Sequence, residues 1–192
     1  MDKCITPEVI GTLNDSIEHN VVVLGSRFFK EDIIDMISAK LTQNGYTPII
    51  AFKISENFEL HFTPRQRICW FLANSRFVIA EDSVPSGEII ELEYCRNLGV
   101  TTAVLHDKNL PRSSWMTLDI DIHGTDFNCF GYDKNDKRDI SARISEAIIW
   151  ANNRNDDKKK SFEDKHEEYI EKRKVFDKPE VKAAMQMLKD NL

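Results

Sequence analysis

Short uninterrupted apolar runs alternate along this chain with longer stretches in which apolar residues return at helical spacing. Asn20-Val21-Val22-Val23-Leu24-Gly25 is the first such run, and its form, apolar throughout and ended by Gly, is that of a strand buried on both faces. Ile33, Ile34, Met36, Ile37 and Leu41 then mark a helix from about Lys30 to Gln43, and Asn44-Gly45 supplies its stop. Thr47-Pro48-Ile49-Ile50-Ala51 reads as a second strand. A polar stretch separates it from a helix that starts near Pro64 and carries Ile68, Trp70, Phe71 and Leu72.

The alternation continues through the next segment. Arg76-Phe77-Val78-Ile79-Ala80 is a third strand, followed by a helix from Ser86 to Leu98 that Gly99 closes. Val100 to His106 is a fourth strand, Phe127 to Tyr132 a fifth, and a helix runs from about Arg138 to Asn152. Parallel neighbours need crossover connections, so strands and helices in this order predict an α/β fold. The expectation is a flavodoxin-like doubly wound five-stranded parallel sheet in the order 2-1-3-4-5. Asn152 to Lys160 reads as a polar linker to a charged helical tail, with Pro179 opening a last short helix. The predicted division is therefore an α/β domain over 1–153 and a tail over 154–192.

Charge sharpens this division. The 192 residues carry 26 Lys and Arg against 32 Asp and Glu, a formal net charge of −6. Residues 1–153 hold 15 basic and 22 acidic side chains, whereas the tail holds 11 and 10. Neither part has the basic excess of a nucleic-acid-binding surface. No apolar run approaches the roughly 20 residues that span a bilayer, and no export signal opens the chain, so the expectation is a soluble, cytoplasmic protein with no membrane partner. Cys4, Cys69, Cys95 and Cys129 are widely spaced and lack His partners at zinc-ligand spacing, which predicts buried thiols and no metal site.

Ligands of open α/β sheets bind beyond the carboxyl ends of the strands, where strand order reverses. That rule selects Gly25-Ser26-Arg27 after the first strand and Glu81-Asp82-Ser83-Val84-Pro85-Ser86-Gly87 after the third. Both loops combine a small residue that admits a ligand with hydroxyls able to bond sugar or phosphate oxygens. Neither is a dinucleotide or phosphate-loop fingerprint, which removes the main support for a nicotinamide-dependent oxidoreductase or an ATPase. In the helix that follows, Ser86 can cap the N-terminus, and Glu88, Glu91 and Cys95 lie along one stripe. Ile89, Leu92, Cys95 and Leu98 form its expected apolar face, which leaves Glu91 beside the buried side. A carboxylate held there can stabilise or attack an electron-poor carbon.

These residues carry a family resemblance. Gly25-Ser26-Arg27, the segment Arg67 to Glu81, and Pro85-Ser86-Gly87-Glu88-Ile89-Ile90-Glu91-Leu92-Glu93-Tyr94 together resemble the nucleoside 2-deoxyribosyltransferase superfamily, especially its 2′-deoxynucleoside 5′-phosphate N-hydrolase branch. The resemblance spans roughly residues 20–150 and is most specific between Arg67 and Gly99. It implies a flavodoxin-like fold and cleavage of an N-glycosidic bond without a cofactor. Glu91 would be the catalytic carboxylate at C1′ of the sugar. Ser86, with Gly87 and Glu88 beside it, would belong to the phosphate or sugar clamp, Gly25 with Ser26 and Arg27 to the nucleobase-side loop, and Asp82 would stand near a family acid that contacts the base. Two departures stand out: Glu93 replaces a family Gly, which puts an extra charge beside the expected pocket, and Ile54 to Pro64 matches no family motif.

Ser83 to Glu91 is also similar to the corresponding segment of Toll/interleukin-1 receptor-like domains that cleave NAD. That resemblance implies an NAD glycohydrolase effector, including one in antiviral defence, and it selects the same Glu91. A third reading, of a different class, is a non-catalytic nucleotide sensor whose tail transmits the signal. The expected partners are accordingly a nucleoside, a nucleotide or NAD, together with a second copy of the chain held through the C-terminal helices.

Overall fold

In a computed structural model of the chain, residues 17–26, 31–53, 63–83, 88–110 and 126–173 are described. After a 3-10 turn at Ile17–His19, the elements are β1 (Asn20–Leu24), α1 (Glu31–Gln43), β2 (Thr47–Ile50), α2 (Pro64–Ala73), β3 (Phe77–Glu81), α3 (Glu88–Leu98), β4 (Thr102–Asp107), β5 (Phe127–Tyr132) and α4 (Lys137–Arg173). The five strands form one sheet in the order β2-β1-β3-β4-β5, every pair parallel. This is the doubly wound architecture that the alternation of patterns predicts.

The unbroken apolar strands follow from helices covering both faces of the sheet. Val21, Val23, Phe77, Ile79, Ala103 and Leu105 point to one face, where Ile33, Ile34, Ile37 and Leu41 of α1 and Ile140, Ile144, Ala147, Ile148 and Ala151 of α4 complete a core. Val22, Leu24, Val78, Ala80 and Val104 point to the other, against Phe71 and Leu72 of α2 and Leu92 and Cys95 of α3. Each fully buried Val, Leu, Ile or Phe among them contributes about 1.5–3 kcal/mol. Alternation along the strands therefore divides residues between two cores rather than between core and water.

Helix ends carry the local signals that fix their lengths. Thr63 caps α2 through a reciprocal capping box: its hydroxyl accepts the Gln66 N–H, and the Gln66 side chain accepts the Thr63 N–H at 3.0 Å. Gly45 and Gly99 adopt φ of +82° and +64° and close α1 and α3 with the paired hydrogen bonds of a Schellman turn. Leu98, expected on the buried face, is 47% exposed because it is the last helical residue before the chain turns at Gly99. Of the cysteines expected to be buried, Cys95 is, whereas Cys69 and Cys129 are half-buried; Cys4 lies outside the described residues.

The polar linker expected at residues 152–160 is instead helical, and α4 runs without interruption to Arg173. Asn152 to Lys160 contains neither Pro nor Gly, and Asp156 and Asp157 stand four and three residues before Lys160, so no residue in the run breaks the helix. The chain nevertheless divides into two units, Met1–Asn155 and Asp156–Leu192. The short helix expected after Pro179 lies outside the described residues. Among the described residues, no helix is long and apolar enough to cross a membrane.

Asn152 also does something a linker residue would not. Its side-chain oxygen accepts from Tyr46 Oη at 2.7 Å and from Arg76 Nε at 2.9 Å, joining α4 to the chain just before β2 and just before β3. Arg76 in turn pairs with Glu18. Replacing Asn152 with Ala removes the shared acceptor from two partly buried donors. The expected loss is about 1–3 kcal/mol, read as a fall of several degrees in the thermal midpoint.

Candidate functional site

The carboxyl ends of β1 and β3 lie side by side, as their register requires, with Leu24 opposite Ala80. Gly25 follows at φ +154°, and a Cβ there would lie 2.6 Å from Ile34 Cδ1 and 3.4 Å from Glu81 Cβ. A side chain at this position would press on the tip of Ile34 in α1 at a φ that L residues rarely adopt, so glycine suits the exit of β1. Ser26 is buried beside it. Arg27, Ser86 and Gly87 fall outside the described residues, as does the side chain of Glu88, whose backbone opens α3.

At the end of β3 the chain buries three consecutive polar residues, Glu81, Asp82 and Ser83. The Asp82 N–H donates to the Leu105 carbonyl at 2.9 Å, which extends the ladder with β4 past the end of the strand. Glu81 is the centre of a buried network that the sequence pattern did not assign. Its Oε1 accepts the Tyr132 hydroxyl at 2.7 Å, the Ser83 N–H at 3.2 Å and the Ser83 hydroxyl. Ser83 Oγ also accepts the Asp107 N–H at 2.8 Å and lies 3.0 Å from Tyr132 Oη. Asp107 in turn accepts the Asn109 N–H at 3.0 Å and stands 3.6 Å from Lys134.

Physical causes are plain at each member. Three donors converge on one oxygen of Glu81, which supplies the partners its burial demands. Burial pushes the Tyr132 hydroxyl well above its ordinary range, and the Glu81 charge beside it adds to that shift, so Tyr132 stays a donor. A signal for this network does exist in the sequence: Glu81, Asp107 and Tyr132 are the last residues of three neighbouring strands. An acid that ends a fully buried strand, in the phase of Phe77 and Ile79, needs donors, and the adjoining strand ends supply them.

Glu91 has a different environment. It lies in the first turns of α3, half-buried, and burial raises its carboxyl from the ordinary 4.5 to about 7. Leu92 and Cys95, on the same helix, are buried against the sheet, which explains why Glu91 at their border loses solvent. Burial also pushes the Cys95 thiol up to about 12, leaving it a small protonated filler rather than a nucleophile. Glu93, expected to bring a charge beside the pocket, lies on the exposed side of α3, where it accepts from Asn97 at 3.3 Å. Of the acids between Glu81 and Glu93 in sequence, Glu81 and Asp82 are buried at the end of β3, Glu91 is half-buried and Glu93 is exposed. Among the described residues, no group of His, Cys, Asp and Glu could hold a metal ion.

Fold and strand order define a flavodoxin-like doubly wound α/β protein whose strand exits at β1 and β3 meet at the reversal point. Among solved structures it is similar to the Clostridium botulinum CMP N-glycosidase BcmB, at 14% identity and a TM-score of 0.46, with 68% of this chain matched to 98% of that one. No family model and no curated protein matches the chain.

The raised Glu91 carboxyl makes a signed stability prediction. The fold favours the protonated form, so stability present below pH 4.5 is lost as pH rises through about 7. Glu91→Gln keeps the neutral shape and removes that loss. The variant is expected to melt several degrees above the parent at pH 8, equivalent to about 1–3 kcal/mol for a half-buried group, and to match it at pH 4.5. Equal midpoints at both pH values would show that Glu91 is not desolvated.

Proposed function

We propose that this protein is an N-glycosidase that cleaves, or transfers across, the ribose–base bond of a nucleoside or nucleotide, with Glu91 as the carboxylate that meets C1′. The observation that carries the reading is a half-buried glutamate, raised to about 7, early in the helix that follows the central strand of the sheet. A fold keeps a destabilising carboxyl of this kind where chemistry needs it. The sequence resemblance over Pro85 to Tyr94 selects the same residue.

The chemistry fits the residue. Breaking a C1′–N bond builds positive charge on the sugar ring, and a carboxylate poorly solvated by water stabilises that charge or captures C1′ covalently. Desolvation strengthens the attraction because the local dielectric is low. Gly25 and Ser26 would line the base side of the substrate, with Arg27 beyond them. Asp82, at the exit of β3, would face the base or sugar. Ser86, Gly87 and Glu88, at the start of α3, would hold a phosphate or sugar hydroxyl through the amides that a helix N-terminus leaves open. The charged tail, on which Phe162 is 71% exposed, would join two copies.

The test is release of free base from deoxynucleosides, their 5′-monophosphates, cytidine monophosphate and NAD, followed by chromatography. Wild-type protein is expected to release base from a nucleoside or monophosphate, and Glu91→Gln to lower that rate by at least about a hundredfold. Because the carboxylate is the working form, kcat/KM should rise with unit slope through pH 7 and level off above it. Nicotinamide released from NAD alone would move the assignment to an NAD glycohydrolase. Release that survives Glu91→Gln would remove the catalytic role of Glu91.

A further inference from the structure

Helical phase fixes the side on which Glu91 opens. Leu92 and Cys95 turn toward the sheet, and Glu91 and Tyr94, three residues apart, share one flank of α3 beside them. That flank meets α2. The Arg65 guanidinium of α2 lies 5.2 Å from the Tyr94 ring centroid, and Ile68 and Trp70 of α2 pack against the same core cluster as Tyr94. Glu91 therefore faces the groove between α2 and α3. Because α3 starts at the carboxyl edge of the sheet, Tyr94 lies about 4.5 Å further from the strand exits than Glu91, with Arg65 beside it.

Arg76 pairs with Glu18, Arg143 with Asp139 and Glu146, and Arg154 with Asp126, whereas Arg65 meets no carboxylate among the described residues. Its side chain is exposed, and the Tyr94 ring, whose negative face attracts a cation, is what seats it. Acids outnumber bases 22 to 15 over residues 1–153, so acids to pair with it are not scarce. A guanidinium left without one, beside the proposed catalytic carboxylate, has an anionic ligand as its complement.

A planar guanidinium grips phosphate through parallel N–H donors. In a substrate bound with C1′ at Glu91, the O5′ group leaves from the far side of the sugar ring, a span of the same order as the step from Glu91 to Tyr94 and Arg65. We propose that Arg65, seated on Tyr94, binds the phosphate on O5′ of the substrate ribose and makes the enzyme prefer the phosphorylated substrate. This assignment rests on the N-glycosidase reading. With the base at the strand exits and the phosphate at Arg65, the ribose lies across Glu91, and the open amides at the start of α3 are left for sugar hydroxyls. An O5′ phosphate ends a nucleoside monophosphate and also lies within the diphosphate of NAD.

The experiment uses the full chain with Arg65→Gln, which removes the charge at an exposed position, Tyr94→Leu, which removes the ring, and Tyr94→Phe, which keeps it. Each is assayed on a nucleoside and on its own 5′-monophosphate. The ratio of kcat/KM for the monophosphate over the nucleoside is expected to fall about thirtyfold in Arg65→Gln and about threefold in Tyr94→Leu, and to stay within about twofold of wild type in Tyr94→Phe. An unchanged ratio in Arg65→Gln overturns the proposal. Where NAD is the substrate cleaved, Arg65→Gln is expected to lower its kcat/KM about thirtyfold, and an unchanged value likewise overturns it. Binding of ribose 5-phosphate, followed by NMR, needs no turnover: the wild-type protein is expected to bind it at least about tenfold more tightly than Arg65→Gln does. If the wild-type protein releases no base from any substrate, the N-glycosidase reading fails, and this binding alone decides the role of Arg65, equal affinities overturning it.

Discussion

A parallel sheet that ends in acids must find donors for them without the help of water, and this molecule meets that demand at one point. Glu81 ends the central strand in full burial, and the hydroxyls of Ser83 and Tyr132 together with the Ser83 amide converge on a single oxygen. Each such bond to a charged group contributes about 1.5–3 kcal/mol, whereas an unpaired buried carboxylate would cost more than the fold can absorb. The Ser83 hydroxyl also takes the Asp107 amide, so satisfying Glu81 ties β3, β4 and β5 together at their carboxyl ends. The carboxyl ends of three neighbouring strands are held together by this one requirement.

Glu91 shows the opposite treatment of the same functional group. Burial raises it to about 7, whereas Glu81 meets three hydrogen-bond donors on one oxygen. One carboxyl is held fixed at the end of β3, and the other is held near its midpoint at neutral pH. On this account the destabilising acid is retained because the proposed reaction needs a poorly hydrated anion next to a developing cation.

Much of the fold was legible because it depends on runs and spacings. Val21 to Leu24 and Phe77 to Ala80 are buried on both faces, so their unbroken apolar character survives in the sequence; Gly45 and Gly99 close helices through a backbone conformation that favours glycine. The apparent linker after Asn152 was misread because polarity marks exposure and does not mark the end of a helix. That run is polar yet contains nothing that breaks hydrogen bonding. Asn152 itself is polar because Tyr46 and Arg76 need its oxygen, a contact between residues 106 and 76 positions apart that no local pattern records.

The site was legible in part for the same reason. Glu91 could be placed beside a buried face from helical spacing, and Gly25 and Asp82 from their positions after strands. The Glu81 network was not read because Asp107 and Tyr132 lie 24 and 51 residues from the partners they meet, so only comparing the last residues of neighbouring strands brings them together. Leu98 was misplaced because spacing gives the phase of a helix but not where the helix ends.

The central claim is that this edge holds Glu91 as a desolvated carboxyl poised near neutrality, and a carbon-detected NMR titration of the glutamate side chains measures it directly. The account predicts a Glu91 midpoint close to 7, absent from the Glu91→Gln spectrum. A midpoint near the ordinary 4.5 would contradict it.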